Sequence, residues 1–271
     1  LAVSERETPG ADPALAGSAI TAFGFDVFAS LRETDPEANV VASPASIAIA
    51  LAMVEPGASG DALQQLHDVL RIDDPAAWHA SLNALEQDLE QREPEAFNDD
   101  DEPGDLIVRI ANAAYLQTGY PFEAPYLDAI GRHYGPVLHE VDFEPDPDAV
   151  AHAINDFIAD ATNGQITEPI ADGVIDPATV LALVNALYFK GSWLEPFDAE
   201  ATEDGDFTRV DGSEITVPMM TGESSSSMQG DGWVGATKSY GGDLAVQFIL
   251  PDEDRFEEFA ADPGAAFDAY V

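Results

Sequence analysis

The sequence has no cysteine, which excludes disulfides, thiol nucleophiles and thiolate metal sites together. That absence leaves the compartment open, because a secreted protein adapted to salt can hold its fold without bridges. Positive charge is scarce as well. Ten Lys and Arg stand against 52 Asp and Glu, for a formal net charge of −42, and Lys190 and Lys238 are the only lysines. A body of that sign repels phosphate backbones and anionic headgroups, which need Lys or Arg to displace their counterions, so neither nucleic acid nor a membrane surface is expected as a partner. Long apolar runs are missing too: residues 180–184, continued past Asn185 to Phe189, fall far short of the ~20 residues that a spanning helix requires. No membrane-crossing segment is expected.

What is present suits a folded body. A chain of 271 residues, 45% hydrophobic, buries a substantial core as one large domain or two small ones. Its acidity runs from Glu5 to Asp268, with one dense stretch at 98–105. Acidity spread in this way reads as solvation for a high-salt medium, where the screening length falls to about 3 Å at 1 M, rather than as a site for one cationic partner.

The first half reads as helices. Asp12-Pro13 supplies a cap and a first-turn proline ahead of Ile20, Phe23, Val27 and Leu31, and Ser43-Pro44 does the same ahead of Ile47, Ala50, Leu51 and Val54. Leu63, Leu66 and Leu70 mark a third helix, and Trp78, Leu82, Leu85 and Leu89 a fourth, before an acidic loop at 94–104. A strand is expected at 106–116, a helix at Ala124–Tyr134, a strand at 137–143, and a helix capped by Asp146-Pro147 that ends at Asn163-Gly164. Residues 179–189 are apolar on both faces and predict a central strand covered on both sides. Shorter strands follow near 206–209, 214–220, 232–240 and 244–250, with turns at Asp211-Gly212 and Gly241-Gly242; 252–271 is weakly helical. The serines of 224–227 read as a loop. Helices first and mixed strands after them give an α+β domain.

No catalytic constellation is expected. Gly230, Gly232 and Gly235 match a dinucleotide fingerprint by letter, but serines precede them where the fingerprint requires a strand, so they read as the lead-in to a strand. Asp99, Asp101 and Gly104 imitate a calcium loop that Pro103 and Ile110 spoil. Five histidines include no H-E-x-x-H pair, and no G-x-S-x-G elbow occurs. His133, His139 and His152 are expected as surface or helix-end residues rather than a joint site. Among 52 acids, paired carboxylates carry no information.

Several ordered segments resemble signatures of the serpin family. The run 39–48 with Ser43-Pro44-Ala45-Ser46, the stretch 52–58, Arg109-Ile110-Ala111-Asn112 through Gln117, Tyr134 to Phe143, and Ile154-Asn155 through Ile166 are each similar to family segments. The strongest is Val184-Asn185-Ala186-Leu187-Tyr188-Phe189-Lys190-Gly191-Ser192-Trp193, followed by Pro196-Phe197 and later by Val217-Pro218-Met219-Met220. Phe157 stands where the family has tryptophan, and Gln165 where it has lysine.

The resemblance implies a single serpin domain over 1–271, incomplete at its C-terminus and ending before the reactive loop. It implies an inhibitor, not an enzyme. A serine protease, or a cysteine protease, cleaves the loop, and the loop inserts into the large sheet as a new strand and stalls the acyl-enzyme. The alternative is a non-inhibitory serpin acting as a binding or chaperone-like protein; an acidic hydrolase is a third and remoter reading. By the same resemblance Ser43, Ser46 and Asn185 form the shutter beneath the sheet, Trp193 marks the breach where insertion begins, and 179–189 border the gap. Each also has a plainer reading, as helix cap, satisfied strand amide and packed aromatic. A monomer acting outside the cell or at its surface is expected, with no cofactor, no metal and no heparin site, since Arg92 stands alone amid acids. The charge adds a salt-adapted prokaryotic origin.

Overall fold

The computed structural model describes residues 4–36, 38–94, 104–209, 211–252, 255–264 and 267, arranged in two compact units. The acidic loop and its imitation calcium site lie largely outside the described residues.

The first unit comprises 1–24, 42–91 and 108–189. Its helices begin where the caps predict. Asp12 accepts from the Ala14 amide at the head of α1 (Ala14–Thr34), and Ser43 accepts from the Ser46 amide at the head of α2 (Pro44–Val54). Helices α3 (Gly60–Leu70) and α4 (Pro75–Glu90) follow, α4 capped by Asp74. After strand β1 (Leu106–Gln117) come α5 (Ala124–Tyr134), β2 (Val137–Val141) and α6 (Pro147–Ala161). Asp146 caps α6, and Asn163 and Gly164 end it with positive φ, as their sequence predicts.

Strands β2, β1 and β3 (Leu181–Gly191) form one sheet in that order. β2 runs parallel to β1, pairing Ala113 with Val137 through Gln117 with Val141. The Gln117 amide, at the end of β1, donates to the Val180 carbonyl just ahead of β3, so those two strands run antiparallel. Alternation sorts their residues onto two faces. Ala113, Tyr115, Val184 and Ala186 pack against the α6 stripe Val150, Ile154, Ile158 and Ala161, together with Phe143. The opposite face carries Asn112, which bonds to Glu86 of α4. The expectation of a fully covered central strand at 179–189 is corrected: β1 is central, β3 is an edge among the described strands, and only Val184 and Ala186 of β3 are fully buried. An apolar sequence registers the capacity for burial and not the neighbours that supply it.

The second unit comprises 25–41, 92–107 and 190–271. It holds an antiparallel ribbon of β4 (Asp198–Thr208) and β5 (Glu214–Thr221), and an antiparallel sheet of β6 (Ser226–Gly230), β7 (Trp233–Gly241) and β8 (Leu244–Pro251). Helix α7 (Phe256–Ala261) is short, and its Phe259 packs with Ile249 on the buried Trp233. Two expectations are corrected here. The serines read as a loop belong to β6, paired as Ser226 with Thr237 and Ser227 with Ala236. β4 begins eight residues before the expected strand, because its acidic sequence gives no apolar signal.

One further departure concerns α1. By length and composition alone, with a mean hydropathy of 1.5, it is apolar enough to cross a membrane. Its run is broken in sequence by small and polar residues, which concealed it from a search for continuous apolar stretches.

Candidate functional site

Ser43 and Ser46 meet each other. The Ser43 hydroxyl donates to Ser46 Oγ at 3.0 Å while accepting from the Ser46 amide at 3.3 Å. Asn185 meets a different partner: its Nδ2 donates to Asn112 Oδ1 at 2.8 Å. No hydrogen bond joins the serines to Asn185 among the described residues. A polar residue within each of two apolar strand runs is the signal that would have paired Asn112 with Asn185.

Behind Asn112 lies a network that sequence reasoning missed. Asn112 Nδ2 donates to Glu86 Oε2 at 3.0 Å and to the Tyr134 carbonyl at 3.2 Å. Arg6 reaches the same Oε2 at 3.0 Å through its terminal guanidinium nitrogen, and its Nε donates to Asn83 Oδ1 at 2.8 Å. The Glu86 side chain is 1% exposed. Burial pushes its carboxyl up to about 7, against the opposing pull of the Arg6 charge and the Asn112 amide. Two acceptors in this line, Glu86 Oε1 and Asn185 Oδ1, are buried without a partner among the described residues.

The histidines do not form one site. His139 stacks on Tyr115 at 4.4 Å, and His152 sits 3.0 Å from Asp172. His133 stacks on His79, whose Nε2 lies 3.0 Å from Glu55 Oε2 and whose Nδ1 bonds to the Tyr134 hydroxyl. His67 closes on the other Glu55 oxygen at 2.6 Å. Burial lowers His79 below the ordinary imidazole value, against the pull of Glu55. Burial alone would raise Glu55, but the two imidazoles hold it below the ordinary carboxylate range. Both His79 nitrogens are engaged without a serine or other nucleophile, so the cluster has no acyl-transfer geometry. No group of three or more His, Asp or Glu placed to hold a metal occurs among the described residues.

Trp193, in the second unit, stacks on Tyr240 and meets Phe197 edge-on at 5.7 Å. The buried Lys238 ammonium lies 4.4 Å from the Phe197 ring centroid and 5.8 Å from that of Trp193, and donates to the Glu223 carbonyl at 2.9 Å. The result is an aromatic cage closed by a cation, with the aromatics half-buried.

Comparison with known proteins places this architecture. The profile of the family described as serpin (serine protease inhibitor) matches residues 18–262. The leukocyte elastase inhibitor of Sus scrofa is 33% identical over 242 residues, which cover 87% of this chain and 61% of that protein. That of Equus caballus is 36% identical over 204 residues, covering 75% and 51%. The chain therefore spans about half to three-fifths of the length of these relatives. Among solved structures, emu (Dromaius novaehollandiae) ovalbumin superposes with a TM-score of 0.79 at 26% identity, covering 93% of this chain and 67% of its own. An Arabidopsis serpin in its native stressed conformation gives 0.72 at 25%, covering 96% and 67%. The chain belongs to the serpin family.

Proposed function

We propose that the protein inhibits serine proteases as a suicide substrate and is not itself an enzyme. The observation that carries this is the position of β3. It is bonded to β1 on one side and has no strand on the other among the described residues, so its outer edge is a template for a further strand. A reactive loop that inserts there would gain about 0.5–1.5 kcal/mol per backbone hydrogen bond. By the family's order the loop and its hinge come after Val271. Ser43, Ser46 and Asn185 act in this reading as the shutter, whose short hydroxyls and amide exchange partners as strands part, and the Trp193 cage acts as the breach. The match from 18 to 262, continuous across both units, supports a single serpin domain.

The partner is a serine protease, met outside the cell or at its surface by a monomeric inhibitor. Heparin is not a ligand in this reading: Arg92 already bonds to the Gly242 carbonyl and the Asp243 carboxylate, in a chain of net charge −42. The same charge argues against nucleic acid and membrane surfaces, and supports a salt-adapted prokaryotic source although the relatives named above are animal proteins. For α1, the family match from residue 18 and the burial of Ala19 and Phe23 support a packed helix.

The test incubates the full-length product in high salt with subtilisin-like and trypsin-like proteases. A covalent complex that survives SDS is expected. Cleavage with no persisting complex would replace this reading with a non-inhibitory, substrate-like serpin.

A further inference from the structure

The line from Asn185 through Asn112 to Glu86 and Arg6 ties the edge strand β3, across the central strand β1, to a buried acid on α4. Every group facing that acid is identifiable. Arg6 comes from the N-terminal segment, Asn83 and Glu90 from α4 itself, and Asn112 from β1. Tyr134 comes from α5, its hydroxyl already engaged by His79. Arg6 is the one cation among them, and it shares Oε2 with Asn112. Oε1 receives nothing among the described residues, so proton uptake falls on Oε1 and leaves both donated bonds in place. The protonated acid is therefore the form that suits the closed structure. The ionised form carries a buried charge with one bare oxygen, a costly state that water would relieve.

Water can reach it along the line. Asn185 Oδ1, the second bare acceptor, lies at the strand that must move, and release of the Asn185–Asn112 bond frees the Asn112 carboxamide to turn. Both orphan oxygens gain partners when β3 parts from β1. We propose that Glu86 is a proton-operated positioning residue for β3: protonated, it keeps the sheet closed, and on ionising it favours parting of β3 from β1. The consequence for inhibition, easier opening of the sheet as Glu86 loses its proton, rests on the reading of β3 as the border of the insertion gap. The motion itself does not.

The test is amide hydrogen exchange of the full-length chain, expressed as protection relative to the unfolded peptide at each pH, from about pH 5 to about pH 8. Wild type is compared with Glu86→Gln and with Arg6→Gln. One proton released on opening changes the opening constant by at most about tenfold per pH unit. Relative to Glu86→Gln, wild-type protection of β3 is expected to fall about tenfold as the pH rises toward 7, then level off. Arg6→Gln removes the cation that favours ionisation, so its levelling point is expected at higher pH. A purely structural role would change protection at every pH alike. Parallel pH curves for wild type and Glu86→Gln overturn the proposal, as does an unmoved levelling point in Arg6→Gln. Should Glu86→Gln fail to fold, the wild-type infrared band of the protonated carboxyl decides: it must fade over the pH range in which β3 loses protection. Protease trapping is not the readout. A protein that shows the linkage and traps nothing keeps this proposal and loses the inhibitory one; trapping with pH-independent β3 does the reverse.

Discussion

The Trp193 indole lies flat on the Tyr240 phenol, ring centroids 4.3 Å apart and planes inclined by 14°. The contact joins the segment after β3 to the end of β7 and gives Lys238 an aromatic wall in place of water. Trp193→Ala removes that wall. A loss of about 1–3 kcal/mol is expected, less than for a fully buried tryptophan because Trp193 is half-buried. Trp193→Phe should keep most of the stability. Urea midpoints of the two variants check this, and equal losses would mean that stacking area is irrelevant there.

The Glu55–His79 pair sets the acid limit of stability. His79 is depressed below its ordinary 6.5, so an unfolding chain takes up a proton there that the folded chain refuses. Glu55 is also depressed, and its contribution is lost as the pH falls through its folded value. Melting temperature should therefore fall steadily on acidification below about pH 6.5. His79→Phe leaves the Tyr134 hydroxyl and one Glu55 oxygen unpaired, which costs about 1–3 kcal/mol at neutral pH but makes the acid decline shallower. An acid decline of unchanged slope would assign it elsewhere.

Glu86 works in the other direction. Its carboxyl rises from 4.5 to about 7 on folding, so the folded chain binds the extra proton and stability declines as the pH climbs between those values. Relative to wild type, Glu86→Gln should gain on the order of 3 kcal/mol between pH 5 and pH 7, at about 1.4 kcal/mol per pH unit. Chemical denaturation at several pH values measures the difference; a difference that does not change with pH would contradict it.

Salt should stabilise the chain. Arg6, Arg32, Arg92, Arg132, Lys190 and Arg255 already pair with carboxylates, which leaves most of the 52 acids facing solvent uncompensated. At molar KCl the screening length drops to about 3 Å and their repulsion is largely removed. A melting temperature unchanged between low and molar KCl would refute this.

What the sequence discloses depends on whether a feature is local. The Asp12, Ser43 and Asp146 caps, each followed by proline, were legible because a cap is built from residues three apart in the chain. β6 was illegible because four serines carry no alternation, and its place comes from the partners Thr237 and Ala236. β3 was legible as a strand and misread as central, since its neighbours are set by topology. In the candidate site, Ser43 and Ser46 were placed correctly relative to each other, while the Asn185–Asn112–Glu86 line was missed. One buried acid among 52 has no mark in composition; only the fold takes water away from it.

Gly230 closes the turn before Trp233, and a Cβ added to it would fall inside the Trp233 indole ring. Among descendants of this sequence, that position would then tolerate replacement only together with a smaller residue at 233, so the two sites should vary as a pair or not at all. Gly232, with φ of +80° and the Arg255 side chain against it, is doubly barred from change. Letters that imitate a nucleotide signature would thus persist through divergence for reasons of volume alone, and a search by pattern would keep finding a cofactor where selection had kept only room for a ring.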